Sequence, residues 1–247
     1  GVAIALIASV IAGLPATSKR TYGYLRVEVL AALVNGIVLG VIAVVIVVEA
    51  IRRFGSEVEI ATTPMIVAAV LGGLANLVSL LILQAGQKES LNVRGAYLEV
   101  LGDLLGSIAV VVAGVIIIFT GYTWVDQAAS IVIAVIILPR AYSLLRDVVN
   151  VLLESTPKGL DIEVVREHML SVPGVTEVHD MHAWTITSGV PAFSAHVTVS
   201  DEMWGEHEYH AILDELKACL RVHFDTDHTT LQIEPIGHRK PGPHRHA

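Results

Sequence analysis

The sequence predicts an α-helical polytopic membrane domain followed by a small α+β domain of order αββαβ, and three observations carry that expectation. The 247-residue chain is 53% hydrophobic and 16% charged with a mean hydropathy of +0.65, too apolar a balance for a soluble domain. Long apolar runs fill its first part, whereas the remainder alternates β-branched runs with amphipathic ones. Charge and histidine divide at the same place. Up to Thr156, nine Lys/Arg stand against ten Asp/Glu; from Pro157 onward there are seven against fourteen, and all eleven histidines lie at or after His168. The membrane part therefore has no imidazole to offer a metal, only oxygen. An acidic C-terminal domain without a basic footprint argues against nucleic acid as a partner. The single cysteine, Cys219, excludes an internal disulfide framework and a Cys-rich zinc site, and is expected to pack on a helix.

In chain order, GVAIALIASVIAG opens without an initiator Met or a charged flank and reads as the end of a membrane helix whose beginning is missing. A polar loop with Lys19, Arg20 and Arg26 precedes the first full span, Val27 to Ile51, in which Asn35 suits interhelical hydrogen bonding. Pro64 opens a second span at a first-turn position, where its missing N–H costs nothing, and Gly72, Gly73 and Asn76 suit close helix packing. After the loop AGQKESLNVR, a third span runs from Gly95 to Thr120. Tyr122 and Trp124 mark an interface, and the last span runs from about Gln127 to Leu145 with Pro139 near its end. Seven Lys/Arg lie in the segments 19–26, 88–94 and 140–146, against Arg52 and Arg53 on the other side, which places those segments and the C-terminal domain in the cytoplasm.

The expected domains are residues 1–156 in the bilayer, 157–236 in the cytoplasm and a histidine-containing disordered tail at 237–247. In the second, DIEVVREHMLSV is amphipathic and stops at Pro173-Gly174. TEVHDMHAWTIT and AFSAHVTVS read as a hairpin about SGVP, HEYHAILDELKACLRVHF as a helix and TTLQIEP as a closing strand. Trp184 is expected in the sheet core.

The third span carries the main functional signal. Glu99 and Asp103 lie four residues apart, on one helical face and inside the apolar stretch. A charged side chain near the centre of a membrane helix costs about 2.5 to 3.5 kcal/mol even on the lower scales, so such residues usually face a polar cavity and serve an ion or proton path. Two hard oxygen donors on one face suit a divalent cation whose further ligands come from another helix. The competing account is a structural acid, protonated or paired with arginine. Glu28, Glu49 and Asp126 lie near span ends, where acids reach the interface or pair with a neighbouring arginine.

In the C-terminal domain, His179, His182 and His196 fall on two adjacent strands and Glu234 ends a third. Strand alternation sets His179 and His182 on opposite faces, so at most one joins His196 unless a bulge intervenes. Metal ligation and a half-exposed structural role both remain open for this group, whereas His207 and His210, one helical turn apart, suit a solvated face. The chain contains no Gly-rich phosphate loop and no Ser or Cys nucleophile with a base beside it, which argues against an enzyme.

The segments TYGYLRVEVLAALVNG, SLNVRGAYLEVLGDLLGS, LLESTP and VHDMHAWTITSGVPAFSAHV resemble the cation diffusion facilitators, membrane antiporters that exchange cytoplasmic zinc or similar divalent ions for protons. The resemblance covers nearly the whole chain. It implies a homodimer of six-helix protomers in a lipid bilayer, the inner membrane of a bacterium, with a ferredoxin-like cytoplasmic domain at the dimer contact. The first helix and most of the second are absent from this sequence. Asp103 matches the aspartate of the family's H-x-x-x-D transport pair, while Glu99 stands where histidine is usual. That replacement hardens the site, favouring Mn²⁺, Fe²⁺ or Co²⁺ relative to Zn²⁺ more than the usual pattern does. His182, His196 and Glu234 match metal ligands of the vesicular zinc transporters of animals; His179 and His196 match those of a bacterial member in which Gln232 stands in place of a third ligand. The resulting expectation is a zinc/proton antiporter, with manganese, iron, cobalt or cadmium as alternative cargo and a membrane-anchored metal-sensing module as the rival class.

Overall fold

The computed structural model describes residues 2–53, 61–84, 91–122, 124–203, 206–226 and 228–238, with the side chains of 2, 3, 5, 91–96, 98, 99, 203 and 206–208 outside that description. The expected disordered tail beyond His238 lies outside the described residues. The chain divides into two compact units, Gly1–Asn35 with Leu144–Ala247, and Gly36–Ser143.

The helices are α1 (Val2–Ala12), α2 (Arg26–Arg52), α3 (Thr62–Leu83), α4 (Leu91–Thr120) and α5 (Trp124–Leu152). Four stretches, Arg26–Arg52, Thr62–Leu83, Val100–Thr120 and Trp124–Leu152, are long and apolar enough to cross a membrane, in agreement with the four expected full spans. Their apolar side chains stay exposed around most of the circumference, as lipid-facing residues must. Pro64 falls in the first turn of α3, where its lack of an N–H is harmless.

Two boundaries differ from the sequence expectation. The helix begins at Leu91 rather than after Arg94, and α5 continues through Pro139 to Leu152, because the apolar run past Arg146 can extend the helix beyond a span's length. Small residues bring α3 and α4 together. A Cβ at Gly73 would lie 3.4 Å from Ser107 Cβ, and one at Gly114 would lie 2.5 Å from Ile66 Cγ1, so only glycine admits the approach at position 114.

In the first unit the C-terminal part has the expected order: α6 (Ile162–Leu170), β1 (Val175–Thr187), β2 (Val190–Val199), α7 (Glu206–Phe224) and β3 (His228–Pro235). Asp161 caps α6, its Oδ1 accepting the Glu163 N–H at 2.9 Å. β1 and β2 are antiparallel, joined by a turn at Ser188 and Gly189, the latter at φ +74°. β2 and β3 are parallel, which requires a crossover that α7 supplies. One sheet face packs Val178, Phe193, Ala195, Val197, Val199 and Ile233 against Val165 and Met169 of α6 and Ile212, Leu216 and Leu220 of α7. Trp184 is only half-buried and lines a cavity of about 650 Å³ with Lys19, Arg20, Arg26 and Ile186, rather than joining that core.

Polar links in the same unit join α2 to later segments. Arg26 Nη2 donates to Glu154 Oε1 at 3.1 Å, and Thr187 Oγ1 donates to Glu28 Oε2 at 2.8 Å. Glu28 thus meets a buried threonine rather than an arginine, whereas Glu49 does pair with Arg53, at 2.7 Å.

Phe193, 1% exposed, is the largest side chain at the centre of this core. Phe193→Ala should lower the stability of the 157–238 fragment by about 3 to 5 kcal/mol in urea unfolding. A loss below about 1 kcal/mol would mean that the core lies elsewhere.

Candidate metal centres

The C-terminal cluster is built by an irregularity in β1. Asp180 sits at φ +50° and the pairing register shifts between His179 and His182, so His179 opposes His196 while His182 opposes Ser194. The extra residue is a β-bulge, and it returns His182 to the face that strict alternation would deny it. On β2 the residues flanking His196, Ala195 and Val197, are buried toward the helices, which leaves His196 on the opposite face. Glu234 opposes Thr198, two residues beyond His196, and so shares that face.

The polar groups converge there. His196 Nδ1 lies 2.8 Å from Glu234 Oε1, the carboxylate accepting the ring N–H, and Gln232 Nε2 donates to the same oxygen at 2.7 Å. His179 Nε2 stands 3.7 Å from Glu234 Oε2. One ligand atom from each of His179, His196 and Glu234 lies within 4.8 Å of the others. Glu234 is 5% exposed, which makes it a buried carboxylate in need of positive charge. His179 Nδ1 is buried with no hydrogen-bond partner among the described residues. Two imidazoles and a carboxylate form the donor set that zinc and its first-row neighbours accept, and the orphaned nitrogen supports that fit.

His182, grouped by the sequence with His196 and Glu234, bonds instead to Asp180, Nε2 to Oδ1 at 3.2 Å. The other oxygen of Asp180 lies 3.8 Å from His196 Nε2, so Asp180 stands between the two imidazoles. Sequence reasoning overlooked Asp180, although an aspartate inside an otherwise β-branched run is itself a bulge signal. His210 is exposed on α7, and the side chain of His207 lies outside the described residues. Burial, then the neighbouring Glu215 carboxylate, raises the Cys219 thiol pKa above its usual value, which keeps that residue a protonated packing group.

In the other unit, Asp103 lies on α4, and its described partner is an arginine. Arg140 Nη1 donates to Asp103 Oδ1 at 3.1 Å. Arg140, assigned by sequence to a cytoplasmic flank, lies within α5 one residue after Pro139. The pair joins two different membrane-spanning helices, α4 and α5. Glu99 lies on the same helix, with its side chain outside the described residues. Among the described residues, no group of three His, Cys, Asp or Glu donors forms around Asp103.

Known proteins resemble this chain along most of its length. Residues 1–153 match the family described as the cation efflux transmembrane domain, and residues 157–236 that of the cation efflux protein, cytoplasmic domain. The metal cation efflux system protein CzcD of Cupriavidus metallidurans is 46% identical over 232 residues, 94% of this chain and 72% of that protein. The cadmium, cobalt and zinc/H(+)-K(+) antiporter of Bacillus velezensis is 39% identical over 237 residues, covering 95% of this chain and 75% of that one. The zinc transporter ZitB of Shigella flexneri is 41% identical over 232 residues, 93% and 72% of the respective chains.

Zn²⁺ titration of the 157–238 fragment by calorimetry tests the C-terminal cluster. His196→Ala or Glu234→Gln should weaken binding by roughly 10- to 100-fold, and His210→Ala should leave it unchanged. Unaltered binding by His196→Ala would place the metal elsewhere.

Proposed function

Because the chain belongs to the cation efflux family, we propose that it is a proton-coupled exporter carrying divalent metal, zinc foremost, out of the cytoplasm. It is a multi-pass protein of the bacterial inner membrane with its C-terminal domain in the cytoplasm. Its relatives are transporters, and metal cation efflux is the work of the family.

The observation that carries the proposal is the match of both domains to one family, together with a carboxylate, Asp103, inside a membrane-spanning helix. Asp103 and Glu99 supply hard oxygen donors for the cargo. Rocking of the helices exposes them to one side and then the other. Protons arriving from the far side neutralise the same oxygens and release the metal, which couples the two fluxes through one set of ligands. Zinc is favoured by two of these relatives, one a zinc transporter and the other an antiporter of cadmium, cobalt and zinc. Carboxylate at position 99 supports harder ions as secondary cargo.

His179, His196 and Glu234 hold a second, cytoplasmic metal that ties three strands of one sheet face together. That metal supplies positive charge to the buried Glu234 and reports the cytoplasmic load. The cytoplasmic domain joins two copies into a homodimer.

Proteoliposomes with the C-terminal domain outside and an acidic lumen should accumulate Zn²⁺ as protons leave. Asp103→Asn should slow that uptake by at least about tenfold, the cost of losing a charged ligand within the membrane. Uptake by Asp103→Asn at the wild-type rate would remove Asp103 from the pathway, and uptake indifferent to the pH gradient would remove the proton.

A further inference from the structure

We propose that Arg140 is a tethered counter-ion that holds Asp103 when no cargo is bound, and that it sets how tightly the carrier grips its metal. The proposal rests on Asp103 being a cargo ligand. Two observations support it. First, the guanidinium donates to the carboxylate at 3.1 Å although the two residues are on different membrane-spanning helices. Second, the intervening surface of α4 is shaped to admit it. A Cβ at Gly102 would overlap Arg140 Nη2 and would lie 3.0 Å from Cζ and 3.2 Å from Nη1, so the guanidinium lies directly over this glycine and an alanine there would make its tip shift.

The chemistry makes the two occupants exclusive. Arginine keeps its charge at any physiological pH, so it cannot leave by losing a proton. A divalent ion on Asp103 would stand a few ångströms from that fixed positive charge, and like charges so close repel. Cargo must displace the guanidinium to bind, and the returning guanidinium helps to expel cargo. Arg140 is thus a positioning residue that never touches the transported ion. It weakens the grip by the fraction of time it holds the carboxylate, and it spares the empty carrier an unneutralised anion in the apolar phase.

The test uses the whole protein, purified in detergent and reconstituted, with Zn²⁺ as the probe. The readout is Asp103-dependent Zn²⁺ binding, the difference between each variant and its Asp103→Asn counterpart, which subtracts the cytoplasmic cluster. Arg140→Gln should tighten that binding about three- to tenfold, lower KM for Zn²⁺ uptake by a similar factor and reduce kcat as release slows. Gly102→Ala keeps both charges but displaces the guanidinium tip, and should shift Kd and KM in the same direction by a smaller factor. Arg140→Lys retains a cation and should stay close to wild type. Binding unchanged or weakened in both Arg140→Gln and Gly102→Ala would overturn the proposal, as would Arg140→Lys behaving like Arg140→Gln. If Asp103→Asn alone alters neither binding nor transport, the cargo-site assignment itself fails, a result separable from any behaviour of Arg140.

Discussion

A carboxylate set into a membrane-spanning helix has to be met by positive charge or by protons, because hydrocarbon offers no water to stabilise it. Asp103 of α4 is such a group, and its described partner is Arg140 of α5, admitted by Gly102. The proposed carrier cycle follows from that demand for neutrality. A metal ion, a proton and a guanidinium are three ways of satisfying one anion, and exchange among them is what a coupled transporter needs. The same rule acts in the cytoplasm, where Glu234 is 5% exposed and gathers His196, His179 and Gln232 around it.

The fold was legible because its signals are compositional and periodic. Four apolar runs became four helices, and the αββαβ order followed from amphipathic and alternating segments. Helix ends were less legible. Arg146 looked like the cytoplasmic edge of the last span, yet α5 continues to Leu152, because a helix does not stop where the membrane does. Trp184 was misplaced for a related reason: an aromatic on a strand can face a groove lined by another part of the chain, and local alternation cannot distinguish that from the core.

The candidate sites were legible to the extent that they depend on residue type. His179, His196 and Glu234 could be named from sequence, but which histidines share a face depends on one backbone torsion at Asp180. Strict period-two counting fails at a bulge, and the conflict between H-D-M-H and alternation was an advance sign of it, as was the aspartate within the run. Asp103 could be named from its position in an apolar stretch. Its partner could not, since Arg140 lies on a different helix and reads locally as a flanking charge. Contacts between distant helices leave no trace in spacing.

Pro139 adds a mechanical side to that contact. It has no N–H to return to the carbonyl of Val135, so α5 lacks one rung of its ladder at the turn that carries Arg140. A helix flexes most readily at such a missing rung. A tilt about this joint would swing the arginine as on a lever, so that the shape of the backbone and the charge state of a neighbouring helix would move together.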